Sequence, residues 1–177
     1  MANSKITIQT RGIFTGAQKA PVTLMCYMDY ESVACAQANI VLHQLLMLHE
    51  GKLRVNIRHF PMAAIHQKAM KAAEAAVAAA QEGLFWQMHN TLFENQKKLG
   101  TISLQQYARD IGVKEKKFLD YLMNGIYAWQ VRDDLLLGVE RGVKLAPTIF
   151  INGEKHDGEV TLEALNEKIR KLLAMHS

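Results

Sequence analysis

The sequence predicts an α/β protein in which a helical segment interrupts a mixed sheet. Strand patterns occur toward both ends of the chain, whereas residues 65–142 show helical patterns alone. The elements read strand, helix, strand, then helices, then strand, strand, helix, which is an α/β order. At 177 residues the chain is long enough for one domain with a sizeable core.

The first part of the chain carries the strand–helix–strand pattern. Residues 6–10 alternate as a strand does, and residues 22–28 form a nearly continuous apolar run, typical of a strand buried on both faces. Ser32 is a candidate N-cap for a helix over residues 33–50, which Gly51 ends. Residues 53–58 alternate apolar and polar side chains, and this predicts the next strand.

The middle of the chain predicts five short helices, at residues 69–82, 84–95, 103 or 104 to 111, 115–123 and 126–140. Strand character returns after Pro147, where residues 148–151 and a return strand at 154–156 flank the hairpin signal Asn152-Gly153. Thr161 is placed to cap a last helix. We therefore predict a core of residues 1–62 and 143–177, and an inserted helical subdomain of residues 63–142.

Composition and charge exclude several classes of function. Lys and Arg exceed Asp and Glu by 21 − 17 = 4, and no basic block is present, so we expect no nucleic-acid binding. No apolar run is long enough to span a membrane, and the start lacks a signal-peptide core. The expectation is a cytoplasmic protein, or a periplasmic or secreted one if the chain has been trimmed. The oligomeric state is left open.

Three parts of the sequence resemble the DsbA-type thiol-disulfide oxidoreductases of the thioredoxin superfamily. They are APVTL at 20–24 with DYESVACA at 29–36, RHFPM at 58–62 with AAEAA at 72–76 and FWQMH at 85–89, and LAPTIFING at 145–153. The resemblance implies a thioredoxin-like fold with a helical insertion. It also implies action on a cysteine-bearing peptide or protein, with no resident cofactor.

The family's Cys-x-x-Cys pair corresponds here to Ser32-Val33-Ala34-Cys35. In the family the first cysteine is an exposed nucleophile whose thiolate is favoured by the helix N-terminus, and the second releases the bound partner. The resemblance therefore places the catalytic positions at Ser32 and Cys35. Because a serine hydroxyl cannot form a disulfide, dithiol exchange at this pair is impossible, and Cys35 remains at the resolving position.

Three explanations fit Ser32. It is a natural loss that leaves a monothiol or binding protein, or it is an engineered substitution. Alternatively it is an active serine, as in the kappa-class glutathione transferases, where a serine at this position hydrogen-bonds the glutathione thiolate. Glutathione is therefore the alternative ligand. Under all three explanations Ser32 can also serve as the helix N-cap.

Cys26 lies six residues before Ser32, where related proteins carry a buried acid that can accept the proton of the resolving thiol. Its presence argues further against ordinary catalysis. The default interpretation is two separate buried thiols, because a disulfide needs a specific Cα spacing. The alternative is that Cys26 is a buried partner thiol for Cys35.

The resemblance also implies a cis peptide bond between Ala146 and Pro147, beside the helix turn. In the family the residue before this proline offers its backbone to an extended substrate peptide. Family members often carry a hydroxyl or β-branched residue there, and Ala146 departs from that pattern.

None of the seven histidines has metal-ligand spacing, so no metal site is predicted. His59 and His66 are the two that can approach the turn, although a surface or structural role is the default for both.

The sequence therefore predicts a DsbA-like family member with a degenerate S-x-x-C site that is impaired in dithiol exchange. The alternatives are a non-catalytic peptide-binding module and a glutathione-binding protein that uses Ser32.

Overall fold

The computed structural model describes residues 7–175, and within them a five-stranded sheet has the order β1-β3-β2-β4-β5. Strand β2 (Val22–Met28) lies parallel to β3 (Leu53–His59), in register from Val22 opposite Leu53 to Met28 opposite His59. Helix α1 (Val33–Leu48) makes the crossover between these two strands. The predicted strand–helix–strand unit is therefore present.

The outer strands are short and antiparallel. Strand β1 (Phe14–Gly16) pairs with β3, strand β4 (Thr148–Ile151) pairs with β2, and β5 (Glu154–Lys155) pairs with β4. Asn152 and Gly153 have φ angles of 49° and 88° in the hairpin, the left-handed backbone that the sequence signal predicts.

The predicted strand at residues 6–10 is wrong for the residues that the structure describes, and Ile6 lies outside them. Residues 7–9 have no regular structure, and Thr10–Gly12 is a 3₁₀ helix. Distant side chains bond to the backbone here: the Gln130 Oε1 accepts from the Thr10 N–H, and the Asn56 Nδ2 donates to the Thr10 carbonyl. These bonds take the place of a strand partner.

Five helices lie between β3 and β4, as the sequence predicts. They are α2 (Ala69–Ala80), α3 (Phe85–Glu94), α4 (Thr101–Asp110), α5 (Phe118–Met123) and α6 (Ala128–Glu140). The predicted starts at residues 115 and 126 are too early, because turns occupy residues 116–117 and 124–127. The start at residue 103 is too late, since the Gly100 carbonyl already accepts from the Leu104 N–H.

The last helix, α7 (Leu162–Met175), buries Leu165 and Ile169. Thr161 caps it, because the Thr161 Oγ1 accepts from the Ala164 N–H at 3.2 Å. No helix within residues 7–175 is both long and apolar enough to cross a membrane.

The sheet brings three loops to one edge. β2 and β3 are parallel, so the turn after Met28 and the loop after His59 leave the sheet at the same end. β4 is antiparallel to β2 and begins with Thr148 opposite Tyr27, so Ala146 and Pro147 enter at that end as well. The candidate site lies where these three segments meet.

Candidate active-site turn

Ser32 and Cys35 are both buried at the N-terminus of α1. The Ser32 Oγ accepts from the Cys35 backbone N–H at 3.2 Å, which is the predicted N-cap. Ser32 is 6% exposed and Cys35 is 0% exposed. The side chains between them, Val33 and Ala34, face solvent. The surface of this turn is therefore apolar, and its thiol lies underneath.

The surroundings of Cys35 hold it as a neutral thiol. Burial, the largest effect, raises the pKa of Cys35 to about 11, although hydrogen bonds from the Ser32 side chain and the Asp29 backbone lower it, while the Asp29 charge raises it. The Asp29 N–H lies 3.4 Å from the Cys35 Sγ. Thiol exchange requires the thiolate, and this site disfavours that form.

Cys26 lies on β2 and is completely buried. Burial raises the pKa of its thiol strongly, and the nearby Cys35 raises that pKa further. Both cysteines are free in the structure. The two sulfurs are therefore close enough to interact electrostatically, and an internal disulfide between them stays a hypothesis.

Asp29 organises the turn, a role that the sequence interpretation missed. Its Oδ1 accepts from the Glu31 N–H at 2.8 Å, and its Oδ2 accepts from the Met62 N–H at 2.8 Å and the His66 Nδ1 at 2.9 Å. The bond to Glu31, two residues on, is the pattern by which aspartate stabilises turns. An aspartate directly after a buried strand was the signal available in the sequence.

Both histidines expected near the turn reach it, His66 through the Asp29 carboxylate and His59 through a ring contact with Tyr30. His59 is buried beside α6, with its Nδ1 3.2 Å from the Asp134 Oδ2. The Arg58 Nη1 lies 3.3 Å from the other oxygen of Asp134. His59 therefore belongs to a buried charge cluster that ties β3 to α6.

The inserted helices hold the turn from the opposite side. The Gln96 Nε2 donates to the carbonyls of Tyr30 and Ser32, at 2.8 and 2.9 Å. The His89 Nδ1 lies 2.9 Å from the Tyr30 hydroxyl, and its Nε2 lies 2.9 Å from the Asn39 Oδ1. Burial lowers the pKa of His89 to about 3, so the ring is neutral and its Nε2–H donates to Asn39. Gln96 belongs to no sequence motif, and His89, although it ends the FWQMH motif, was assigned no role at the site, because only the fold brings these two side chains to the turn.

The Ala146–Pro147 peptide bond is cis. Ala146 is only 4% exposed, so little of the backbone expected to receive a peptide is open to solvent. The preceding residue, Leu145, is exposed, and its carbonyl accepts from the Thr148 hydroxyl at 2.7 Å. The surface that this segment offers is thus the Leu145 side chain.

Comparison with known proteins agrees with this arrangement. A family model described as thioredoxin matches residues 9–171. The chain belongs to the thioredoxin family. The match covers the candidate turn, the five inserted helices and the Pro147 strand.

Several solved structures share the fold. The oxidised BdbD of Bacillus subtilis superposes with a TM-score of 0.82 at 22% identity, covering 91% of this chain and 92% of that one. The thiol-disulfide exchange protein α-DsbA2 of Wolbachia pipientis gives a TM-score of 0.76 at 22% identity, covering 90% and 86%. At these identities the likeness shows the fold.

Curated relatives with higher identity are much longer proteins. The Na⁺/H⁺ antiporter NhaA 3 of Salinispora tropica is 34% identical over 159 residues, which cover 90% of this chain and 24% of that protein. NhaA 1 of Salinispora arenicola is 33% identical over 159 residues, with the same coverage. The chain therefore spans about a quarter of the length of these relatives.

Proposed function

We propose that this chain is a DsbA-like member of the thioredoxin family that recognises cysteine-bearing peptides or proteins but is impaired in dithiol exchange. The observation that carries this proposal is the complete burial of Cys35 beneath Ser32. The sequence has two cysteines, and the other, Cys26, is buried as well. No thiol is therefore offered to a substrate at the surface.

The chemistry of exchange explains why this burial is decisive. A thiolate must attack one sulfur of the substrate disulfide along the S–S axis and displace the other sulfur. The exchange rate therefore depends on the thiolate fraction and on the access of the substrate to the thiol. Cys35 has neither, because it is enclosed and its pKa is raised to about 11. Ser32, at the position of the family's nucleophile, contributes a hydroxyl that cannot form a disulfide.

Non-catalytic peptide binding is the second candidate, and exposed apolar side chains support it. Val33, Ile65 and Leu145 are 67%, 70% and 57% exposed. Val33 begins α1, and Ile65 and Leu145 lie in the segments that leave or enter the sheet at the same end. Exposed apolar side chains gathered around a site favour binding of an apolar peptide segment.

The glutathione alternative has less support. A serine that stabilises a glutathione thiolate must turn its hydroxyl toward the ligand. Here the Ser32 hydroxyl faces inward, where it accepts from the Cys35 N–H and bonds the Cys35 side chain. Only 6% of Ser32 is exposed.

The test is disulfide reduction by the wild-type protein and by Ser32→Cys, with insulin and glutathione disulfide as substrates. We expect no detectable turnover from the wild type and measurable turnover from Ser32→Cys, because that variant restores at position 32 the thiol that can form a disulfide with a substrate and then with Cys35. Ser32→Ala is the matched control, and we expect it to remain inactive. Wild-type turnover would contradict the proposal, and a silent but folded Ser32→Cys would favour the binding module.

A further inference from the structure

Helix α1 presents an outer face without charge. None of its 16 residues is Asp, Glu, Lys or Arg, whereas these four types make up 21% of the whole chain. Each of the other six α-helices within residues 7–175 contains at least one of them. The helix that packs beside α1, α7, exposes Glu163, Glu167 and Lys171. The lack of charge is therefore a property of α1 and not of the surface around it.

The exposed side chains of α1 follow one line along the helix. Successive members are four, three, four and three residues apart, and all are exposed: Val33, Gln37, Ile40, Gln44 and Met47. This spacing is typical of the contact line between two helices that pack side by side. The flanking side chains are Ala34, Ala36, Val41, His43 and Leu48. The face has the composition of a helix–helix contact, and residues 7–175 supply no partner for it.

The order of side chains along this line is the same from either end. Apolar residues occupy both ends and the centre, and a glutamine lies between the centre and each end. A two-fold axis at Ile40 sets that residue opposite its own copy. The same axis sets Gln37 opposite Gln44, whose amides offer both donors and acceptors to each other. It also sets Val33 opposite Met47.

A contact between two copies must be complementary to itself, because a two-fold axis brings the same surface patch of both chains together. The α1 face fulfils this condition, since apolar side chains meet apolar side chains and amides meet amides. A charged face would place like charges near the axis, and this helix has none to place there. The second copy of the chain is therefore a partner that the face fits.

We propose that α1 is a dimer interface, on which a second copy of this chain packs with its α1 antiparallel to the first. The antiparallel arrangement sets the N-terminus of each helix beside the C-terminus of the other, so their dipoles attract. A helix of 16 residues is about 24 Å long and about 10 Å wide. The buried surface therefore stays below the roughly 1,200 Å² of standard interfaces, and the dimer is weak and reversible.

The dimer reaches the candidate site through Val33. This residue follows Ser32 and is one of the exposed apolar side chains near the turn. In the dimer it is covered by Met47 of the second copy. The inference goes beyond the proposed function and does not depend on it, but a bound peptide and the second copy would compete for Val33.

The test is sedimentation velocity of the full chain between about 10 μM and about 1 mM, the range suited to so small a contact. We expect the mean mass to rise from that of a monomer toward that of a dimer. Ile40→Glu sets two carboxylates together at the axis, so the dissociation constant should increase at least about tenfold. Ile102→Glu, on α4, is the matched control: Ile102 is 70% exposed against 60% for Ile40, and the dimer should be unchanged.

A pair of opposite charges tests the orientation of the two helices. Val33→Glu and Met47→Lys each set a charge against an apolar side chain, so each alone should weaken the dimer. Both substitutions in one chain should restore it, because antiparallel packing brings each carboxylate to an ammonium of the second copy. Positions 33 and 47 are about 21 Å apart along one helix, so attraction within a chain cannot explain the recovery.

Three results would overturn the proposal. They are a monomer at every concentration, equal weakening by Ile40→Glu and Ile102→Glu, and a doubly substituted chain that dimerises less than either single variant. The melting temperature of each variant shows that it is folded, which we expect because the substituted side chains are exposed. If Ile40→Glu does not fold, the charge pair decides alone.

Discussion

Asp29 and Asp134 are both buried, and each uses one carboxylate oxygen to accept from a backbone N–H while a histidine Nδ1 lies nearby. For Asp29 these groups are the Met62 N–H at 2.8 Å and the His66 ring at 2.9 Å. For Asp134 they are the N–H and the ring of His59, at 3.0 and 3.2 Å. Similar local geometry therefore occurs at two places in the fold.

The two sites differ in what the second carboxylate oxygen meets. Asp134 faces the guanidinium of Arg58, and although burial raises its pKa, His59 and Arg58 together hold that pKa below its ordinary value. Asp29 meets the Glu31 N–H instead, and its charge acts on the Cys35 thiol. The Asp134 carboxylate thus ties β3 to α6 through Arg58, whereas the Asp29 carboxylate bonds the backbone of its own turn beside the Cys35 thiol.

Tyr30 follows Asp29 in the chain, and its ring contacts both His59 of the Asp134 site and a third buried residue, His89. Its ring centroid lies 6.1 Å from that of His59 and 5.5 Å from that of His89. His89 is uncharged and fully buried, so it is the neutral counterpart to the two carboxylates. The comparison can therefore be tested at all three residues.

The largest expected effect is the acid sensitivity that His89 confers. Its pKa is lowered from 6.5 to about 3 by burial, so below pH 6.5 the unfolded chain takes up a proton that the folded protein does not. The free energy of unfolding is therefore unaffected by this proton above pH 6.5. It falls as the pH decreases below that value, and the loss reaches about 4 kcal/mol at pH 3. Glutamine in His89→Gln keeps a hydrogen-bond donor and an acceptor but does not titrate. The free energy of unfolding measured in urea should therefore change less between pH 7 and pH 4 in this variant than in the wild type.

His43→Gln is the matched control, because His43 is exposed on α1. We expect its pH profile to follow that of the wild type. Parallel profiles for His89→Gln and the wild type would show that acid acts elsewhere, with the Asp29 and Asp134 sites as the next candidates.

The second effect is the loss of Asp134. Asp134→Asn leaves the Arg58 guanidinium largely buried without its countercharge, and breaking such a pair costs about 3 kcal/mol. Because the pKa of Asp134 lies below its ordinary value of 3.8, the full difference from wild type should appear at neutral pH and shrink only as the pH falls below that value. Denaturant unfolding of the two proteins at pH 7 and at pH 3 measures the cost of the substitution and its dependence on pH.

Asp133→Asn is the control for this change, on the same helix with a side chain 42% exposed. Its cost should stay below about 1 kcal/mol, as for exposed ion pairs. Equal losses for the two variants would contradict the assignment of Asp134 as the buried partner of Arg58.

Local sequence patterns were sufficient for much of the fold. The apolar run of β2, the Ser32 cap and the Asn152-Gly153 turn each depend on residues within a few positions of one another, so their signals are complete in the sequence. The strand expected at residues 6–10 failed because Gln130 and Asn56 bond to Thr10 from far along the chain.

The candidate site was predictable only in part. The resemblance placed Pro147 beside the turn that carries Ser32 and Cys35, and in the structure the two segments lie at the same end of the sheet. It did not reveal that Gln96 bonds the turn, or that the Asp29 carboxylate acts on Cys35, because both depend on contacts between segments separated along the chain. Side-chain burial at Ala146 likewise depends on tertiary packing.

The smallest expected effect is the loss of His66, which sharpens the contrast between the two carboxylates. His66→Ala removes one of three donors to the Asp29 carboxylate, and the side chain is partly exposed, so water can replace the bond. We expect a cost of about 1 kcal/mol in denaturant unfolding, against about 3 kcal/mol for Asp134→Asn. His43→Ala, at an exposed histidine that bonds the amide oxygen of Asn90, should cost less still. A loss for His66→Ala as large as that for Asp134→Asn would mean that Asp29 depends on its histidine as Asp134 depends on Arg58, and the distinction between the two sites would fail.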